Sequence, residues 1–109
     1  MRRVLVVDDE PHIRTVLRGY LQADGFEVAE AADGAAALAA MRDQPADLVL
    51  LDVMMPELDG AQVLERVVGD PDLREIPVIM ISASDELDSV VRCIELGAED
   101  FLTKPLNPI

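Results

Sequence analysis

Five side chains of this sequence stand where they could handle an anionic reactant. They are the carboxylates of Asp8, Asp9 and Asp52, the hydroxyl of Ser82 and the ammonium of Lys104. Each closes or directly follows a short apolar run: Val4-Leu-Val-Val7, Leu48-Val-Leu-Leu51, Pro77-Val-Ile-Met-Ile81 and Asp100-Phe-Leu-Thr103. At an effective dielectric of about 20, two carboxylates about 5 Å apart repel by roughly 3 kcal/mol. Three gathered acids with one lysine leave two negative charges uncompensated, which a divalent cation would balance. All-oxygen ligation suits Mg²⁺ or Mn²⁺, whereas zinc favours His or Cys. An aspartate beside such a cation and an ammonium can attack phosphorus and form an acyl phosphate. The cation and Lys104 would neutralise the oxygens of the transferring group. Ser82 could then donate a hydrogen bond to the new phosphoryl group.

For these residues to meet, the runs must lie side by side. The runs Val4–Val7, Leu48–Leu51 and Pro77–Ile81 are continuously apolar, as strands covered on both faces of a parallel sheet read. The second strand, Glu27–Ala31, is mixed and reads as an edge. Between the runs lie helical spacings. The first carries Ile13, Val16, Leu17, Tyr20 and Leu21, with Pro11 at its start and Gly25 at its stop. The second starts at Asp33-Gly34 and carries Leu38 and Met41. Asp59 caps a third with Leu64, Val67 and Val68, ending near Gly69. Ser84 is the expected cap of a fourth with Leu87, Val91 and Ile94, ending at Gly97. Alternation of strand and helix predicts an α/β fold with a parallel sheet and helices on both faces. In such sheets, ligand sites lie beyond the carboxyl ends of the strands, where the five side chains fall.

Composition narrows the function classes. The 109 residues suit one domain, and half are apolar, which argues against disorder. Nine Lys+Arg against 22 Asp+Glu give a net charge of −13. That balance disfavours direct nucleic-acid binding and anionic membrane surfaces. The single cysteine, Cys93, excludes an intrachain disulfide and reads as buried packing. No apolar run is long enough to span a membrane, and no signal peptide is visible, so a cytoplasmic location is expected. His12 stands alone beside the acids and reads as surface helix.

Four segments resemble the receiver domain of bacterial two-component response regulators. They are Val6-Val-Asp-Asp-Glu-Pro11; Leu50-Leu-Asp-Val-Met-Met-Pro56 with Asp59-Gly60; Ile81-Ser-Ala83; and Gly97-Ala-Glu-Asp-Phe-Leu-Thr-Lys-Pro105. The resemblance runs from residue 3 to about 106. The resemblance implies a flavodoxin-like doubly wound sheet of five parallel strands in the order 2-1-3-4-5. It implies Asp52 as phosphoacceptor. Mg²⁺, with Mn²⁺ as a substitute, would be held by Asp9, Asp52 and the Met54 backbone carbonyl, with Asp8 acting mainly through water. Lys104 would pair with the phosphoryl group across a cis bond to Pro105, and Ser82 and Phe101 would form a switch pair. A histidine kinase or histidine phosphotransfer protein would be the partner. Such a domain regulates; it catalyses only its own phosphotransfer and slow dephosphorylation.

Three departures bear on this reading. Phe101 stands where many relatives have Tyr, and Met54 and Ser84 neighbour the acyl phosphate, which affects phosphoryl lifetime. The family's fifth helix has no room in Leu106-Asn-Pro-Ile109. Residues 1–109 are therefore expected to be the N-terminal part of a longer chain, cut before that helix, with any output domain beyond Ile109. Half of one sheet face should lie open beside the first helix, covered in a longer chain or by a second copy as a homodimer.

Three alternatives remain open. A Mg²⁺-dependent aspartyl phosphatase shares the chemistry, but it usually has an Asp-x-Asp pair and a cap domain. A nucleotide or flavin binder shares the fold, but the glycine-rich phosphate loops are missing. A pseudo-receiver would be an interaction module without phosphorylation. Asp8-Asp9 could also simply cap the first helix.

Overall fold

The computed structural model describes residues 2–105. Five strands and four helices alternate strictly: β1 (Arg3–Val7), α1 (Pro11–Ala23), β2 (Glu27–Ala31), α2 (Gly34–Asp43), β3 (Leu48–Asp52), α3 (Gly60–Val68), β4 (Val78–Ser82), α4 (Leu87–Leu96) and β5 (Asp100–Thr103). The strands form one sheet in the order β2-β1-β3-β4-β5, and every pairing is parallel. The mixed run of β2 lies at one edge, as its composition requires, and β5 forms the other.

Two cores flank the sheet. Leu5, Val7, Val49, Leu51, Val78 and Met80 point to a large core shared with α2, α3 and α4. Val4, Val6, Leu50 and Ile81 point the other way, to a smaller core beside Leu17 of α1. That second layer is thin. Ile13, Leu21, Leu48 and Ile79 are only partly buried there, and Leu102 of β5 is 42% exposed. This agrees with the expected opening beside the first helix. Residues 106–109, where the expectation of a missing fifth helix falls, lie outside the described residues.

Local chemistry sets the helix ends. The Asp33 side chain accepts from the Ala36 N–H at 2.8 Å. Asp59 and Gln62 form a reciprocal capping box on α3, each side chain accepting from the other's backbone N–H at 2.9 Å. Gly97 ends α4 with φ of 127°, which a side chain would resist.

Two expectations about α4 fail. Ser84 does not cap it. The helix starts at Leu87 after Glu86, whose carboxylate turns back to accept the Ala83 N–H. Nor does the stripe of Leu87, Val91 and Ile94 face the core; these are 62%, 48% and 42% exposed. Val90 and Cys93 are buried instead. Apolar residues surround most of this helix, so periodicity alone does not choose the buried face; α3 and the sheet do. Asp9 likewise does not cap α1. Glu10 occupies that position without a side-chain cap, and Pro11 begins the helix.

Candidate functional site

The strand ends converge as the parallel topology demands. β1 lies between β2 and β3, so the β1–α1 turn opens beside the end of β3. There Asp8 is fully buried and Asp52 is 2% exposed. Lys104, just past β5, reaches across to both. Its Nζ lies 3.3 Å from Asp8 Oδ2, 3.5 Å from Asp52 Oδ2 and 3.4 Å from Glu10 Oε1. The Lys104 backbone N–H donates to the Ser82 carbonyl at 2.7 Å, which extends the β4–β5 pairing to the residue that carries the ammonium. The Lys104–Pro105 bond is cis, as the resemblance implied.

The backbone around the phosphoacceptor candidate is tight. The Met54 N–H donates to Asp52 Oδ1 at 3.4 Å, while the Met54 side chain is 55% exposed. The Gly60 N–H donates to the Val53 carbonyl at 2.8 Å. A Cβ on Gly60 would sit 2.3 Å from the Asp52 carbonyl oxygen, so only glycine lets the start of α3 approach this strand end.

Electrostatics follow from burial. Burial, then the Asp8 carboxylate, push the Asp52 carboxyl up to about 7, against the pull of Lys104 and the Met54 N–H. Burial also opposes the charge on Lys104, but the carboxylates of Asp52, Asp8 and Glu10 outweigh it and hold the ammonium above its ordinary range. The site therefore carries more negative charge than its one lysine offsets. Asp8 Oδ2 is buried without a hydrogen-bond partner, an unusual state for a carboxylate oxygen. Carboxylate oxygens of Asp8, Asp9 and Glu10 lie within 4.8 Å of one another. This donor set of hard oxygens fits a divalent cation.

The structure thus brings together Asp8, Asp52 and Lys104, and sets Asp9 beside Asp8. Ser82 is buried one strand over from Asp52, whose register partner is Ile81. Phe101 is not in the cluster: it stands on β5 opposite Met80 of β4 and is 40% exposed. His12 is exposed and Cys93 is buried, with its thiol pushed up by burial, as expected of surface and packing residues. Sequence reasoning passed over Glu10 as a partner of Lys104. Its adjacency to Asp8-Asp9 was the available signal.

Residues 4–109 match the family model of the response regulator receiver domain. The chain belongs to that family. The receiver is 48% identical over 109 residues to the response regulator PleD of Caulobacter vibrioides, covering 98% of this chain and 24% of that protein. It is 40% identical over 107 residues to the alkaline phosphatase synthesis transcriptional regulatory protein PhoP of Bacillus subtilis, covering 98% of this chain and 44% of PhoP. Among solved structures it resembles the chemotaxis protein CheY4 of Vibrio cholerae, with a TM-score of 0.91 and 33% identity over 99% of this chain and 90% of that one. It also resembles the NtrX receiver domain of Brucella abortus, with a TM-score of 0.89 and 39% identity over 95% and 87% of the two chains. The receiver spans less than half the length of these curated relatives. Membership in a regulatory family answers the phosphatase and flavin-binder alternatives. Among the described residues, no helix is long and apolar enough to cross a membrane.

Proposed function

We propose that this receiver is a phosphorylation-dependent switch whose Asp52 accepts a phosphoryl group from a histidine kinase or a histidine phosphotransfer protein. The observation that carries the proposal is the buried Asp52 at the end of β3, with the Lys104 ammonium 3.5 Å from its carboxylate. An Asp52 carboxylate oxygen attacks phosphorus in line with the donor's bond, forming the acyl phosphate as the donor nitrogen or oxygen leaves with the bonding pair. Lys104 follows the charge, releasing its carboxylate contacts to meet a phosphoryl oxygen. The buried Ser82 hydroxyl then donates to the phosphoryl group. Its movement opens room for Phe101, now exposed, to turn inward, shifting a pre-existing equilibrium between two states.

Asp8, Asp9, Asp52 and the Met54 carbonyl would hold Mg²⁺, or Mn²⁺ in its place. The buried Asp8 Oδ2, which has no hydrogen-bond partner and only the Lys104 ammonium beside it, supports this assignment. Such a cation keeps Asp52 ionised and offsets charge on the phosphoryl oxygens. We read residues 1–109 as a receiver unit of a longer, cytoplasmic protein, because the relatives extend well past the matched region. An output domain, or a second copy of the chain, would read the switch.

Incubation with acetyl phosphate and Mg²⁺ should add one phosphoryl mass that is labile to base. The addition should vanish when Mg²⁺ is chelated and in Asp52→Asn. A wild-type chain that stays unmodified would make this a pseudo-receiver.

A further inference from the structure

The acidic turn has a support that the phosphotransfer chemistry does not use. Arg14 of α1 folds back over the β1–α1 turn, and its Nη1 donates to the Asp8 backbone carbonyl at 2.7 Å. Its Nε donates to Glu30 Oε1 of β2 at 3.1 Å, and the other Glu30 oxygen lies 2.6 Å from Arg18 Nη2. The Arg14 side chain is only 17% exposed. The remaining polar atoms of Asp8 are also engaged. Its N–H donates to the Ala31 carbonyl at 3.2 Å, and its Oδ1 accepts from the Glu10 N–H at 2.9 Å. Only Oδ2 is left without a hydrogen bond, and it lies beside Lys104.

We infer that Arg14 is a positioning residue for the acidic site. By clamping the Asp8 carbonyl, it fixes the turn so that the carboxylate oxygen without a hydrogen bond, Oδ2, stays presented to Lys104 and to a divalent cation. Glu30 holds Arg14 in place, so the edge strand β2 supports the site through Arg14 as well as through the Ala31 carbonyl that accepts the Asp8 N–H. This inference rests on the reading of the acidic turn as a Mg²⁺ site. Groups that orient metal-binding residues typically change affinity by about 10- to 100-fold when removed. Arg14 acts on a main-chain carbonyl, so the lower end applies.

The test follows melting temperature by circular dichroism against MgCl₂ concentration for wild type, Arg14→Met, Arg14→Lys and Glu30→Gln. Binding to the native state alone makes each curve report Mg²⁺ affinity separately from metal-free stability. The expected result is an apparent Mg²⁺ dissociation constant raised about tenfold in Arg14→Met. Arg14→Lys should recover part of the loss, because an ammonium can still reach one carbonyl. Glu30→Gln should shift affinity the same way by less, and it keeps the proposal testable if Arg14→Met does not fold. A strap that merely joined α1 to β2 would lower the metal-free melting temperature and leave Mg²⁺ affinity unchanged, and that result overturns the inference. Failure of the underlying reading looks different: the wild type itself would show no response to Mg²⁺.

Discussion

Asp52→Asn should stabilise the metal-free receiver, by an amount that grows with pH. Burial and the Asp8 carboxylate lift the Asp52 carboxyl from 3.8 to about 7 in the folded protein. In the unfolded chain it titrates near its ordinary value. Through the window from about pH 4 to about pH 7, the native state therefore keeps a proton that the unfolded state has released. Stability must fall as pH rises through that window. At about 1.4 kcal/mol per tenfold change in proton affinity, the penalty above pH 7 is at most about 4 kcal/mol. Local relaxation around the buried carboxyl reduces it, and about 2 kcal/mol is the working value. Asparagine has the same shape and no charge. Its advantage should be near zero below about pH 3.5 and approach that full value at about pH 8. For a domain of this size the gain at alkaline pH is about 10 °C in melting temperature. Thermal melts of both proteins in EDTA across this range measure it directly. Two melting curves that run parallel at every pH would refute the reasoning, because Asp52 would then titrate alike in both states.

Other substitutions test other parts of the structure. Gly60→Ala should destabilise by about 3 kcal/mol in urea titrations, because its Cβ would lie 2.3 Å from the Asp52 carbonyl. Asp59→Ala removes the capping box of α3 and should cost about 1 kcal/mol in the same assay. Met80→Ala, in a fully buried position, should cost about 2–5 kcal/mol, whereas Leu102→Ser on the open face of β5 should cost less than about 1 kcal/mol. Lys104→Gln should slow acetyl phosphate uptake at least about tenfold while leaving Mg²⁺ affinity equal or higher, since a competing cation has gone.

The parallel sheet was legible because strands buried on both faces are continuously apolar, and the mixed composition of Glu27–Ala31 marked an edge. Strand ends were legible to within about a residue. Asp52 interrupts the apolar run of β3, yet it still pairs with Ile81. The convergence of Asp8, Asp52 and Lys104 followed from topology, since ligand sites in such sheets gather at the carboxyl ends. What stayed hidden depended on tertiary neighbours. The α4 stripe was visible but its orientation was not, because Leu87, Val90, Val91, Cys93, Ile94 and Leu96 offer more than one apolar face. Ser84 had the right chemistry for a cap, but Glu86 engages the Ala83 N–H and the helix begins later. Arg14 lay among polar residues of α1, and nothing in its spacing says that it reaches back to the Asp8 carbonyl.

The central claim is that one carboxylate, Asp52, carries the phosphoryl group, and site mapping tests it most directly. The wild-type receiver would be treated with acetyl phosphate and Mg²⁺, reduced with borohydride and digested. Mass spectrometry of the peptides would then locate the residue at which the acyl phosphate stood. The account predicts a single reduced residue at Asp52, absent when the donor is omitted. Reduction at Asp8, Asp9 or Glu10, with Asp52 intact, would contradict it.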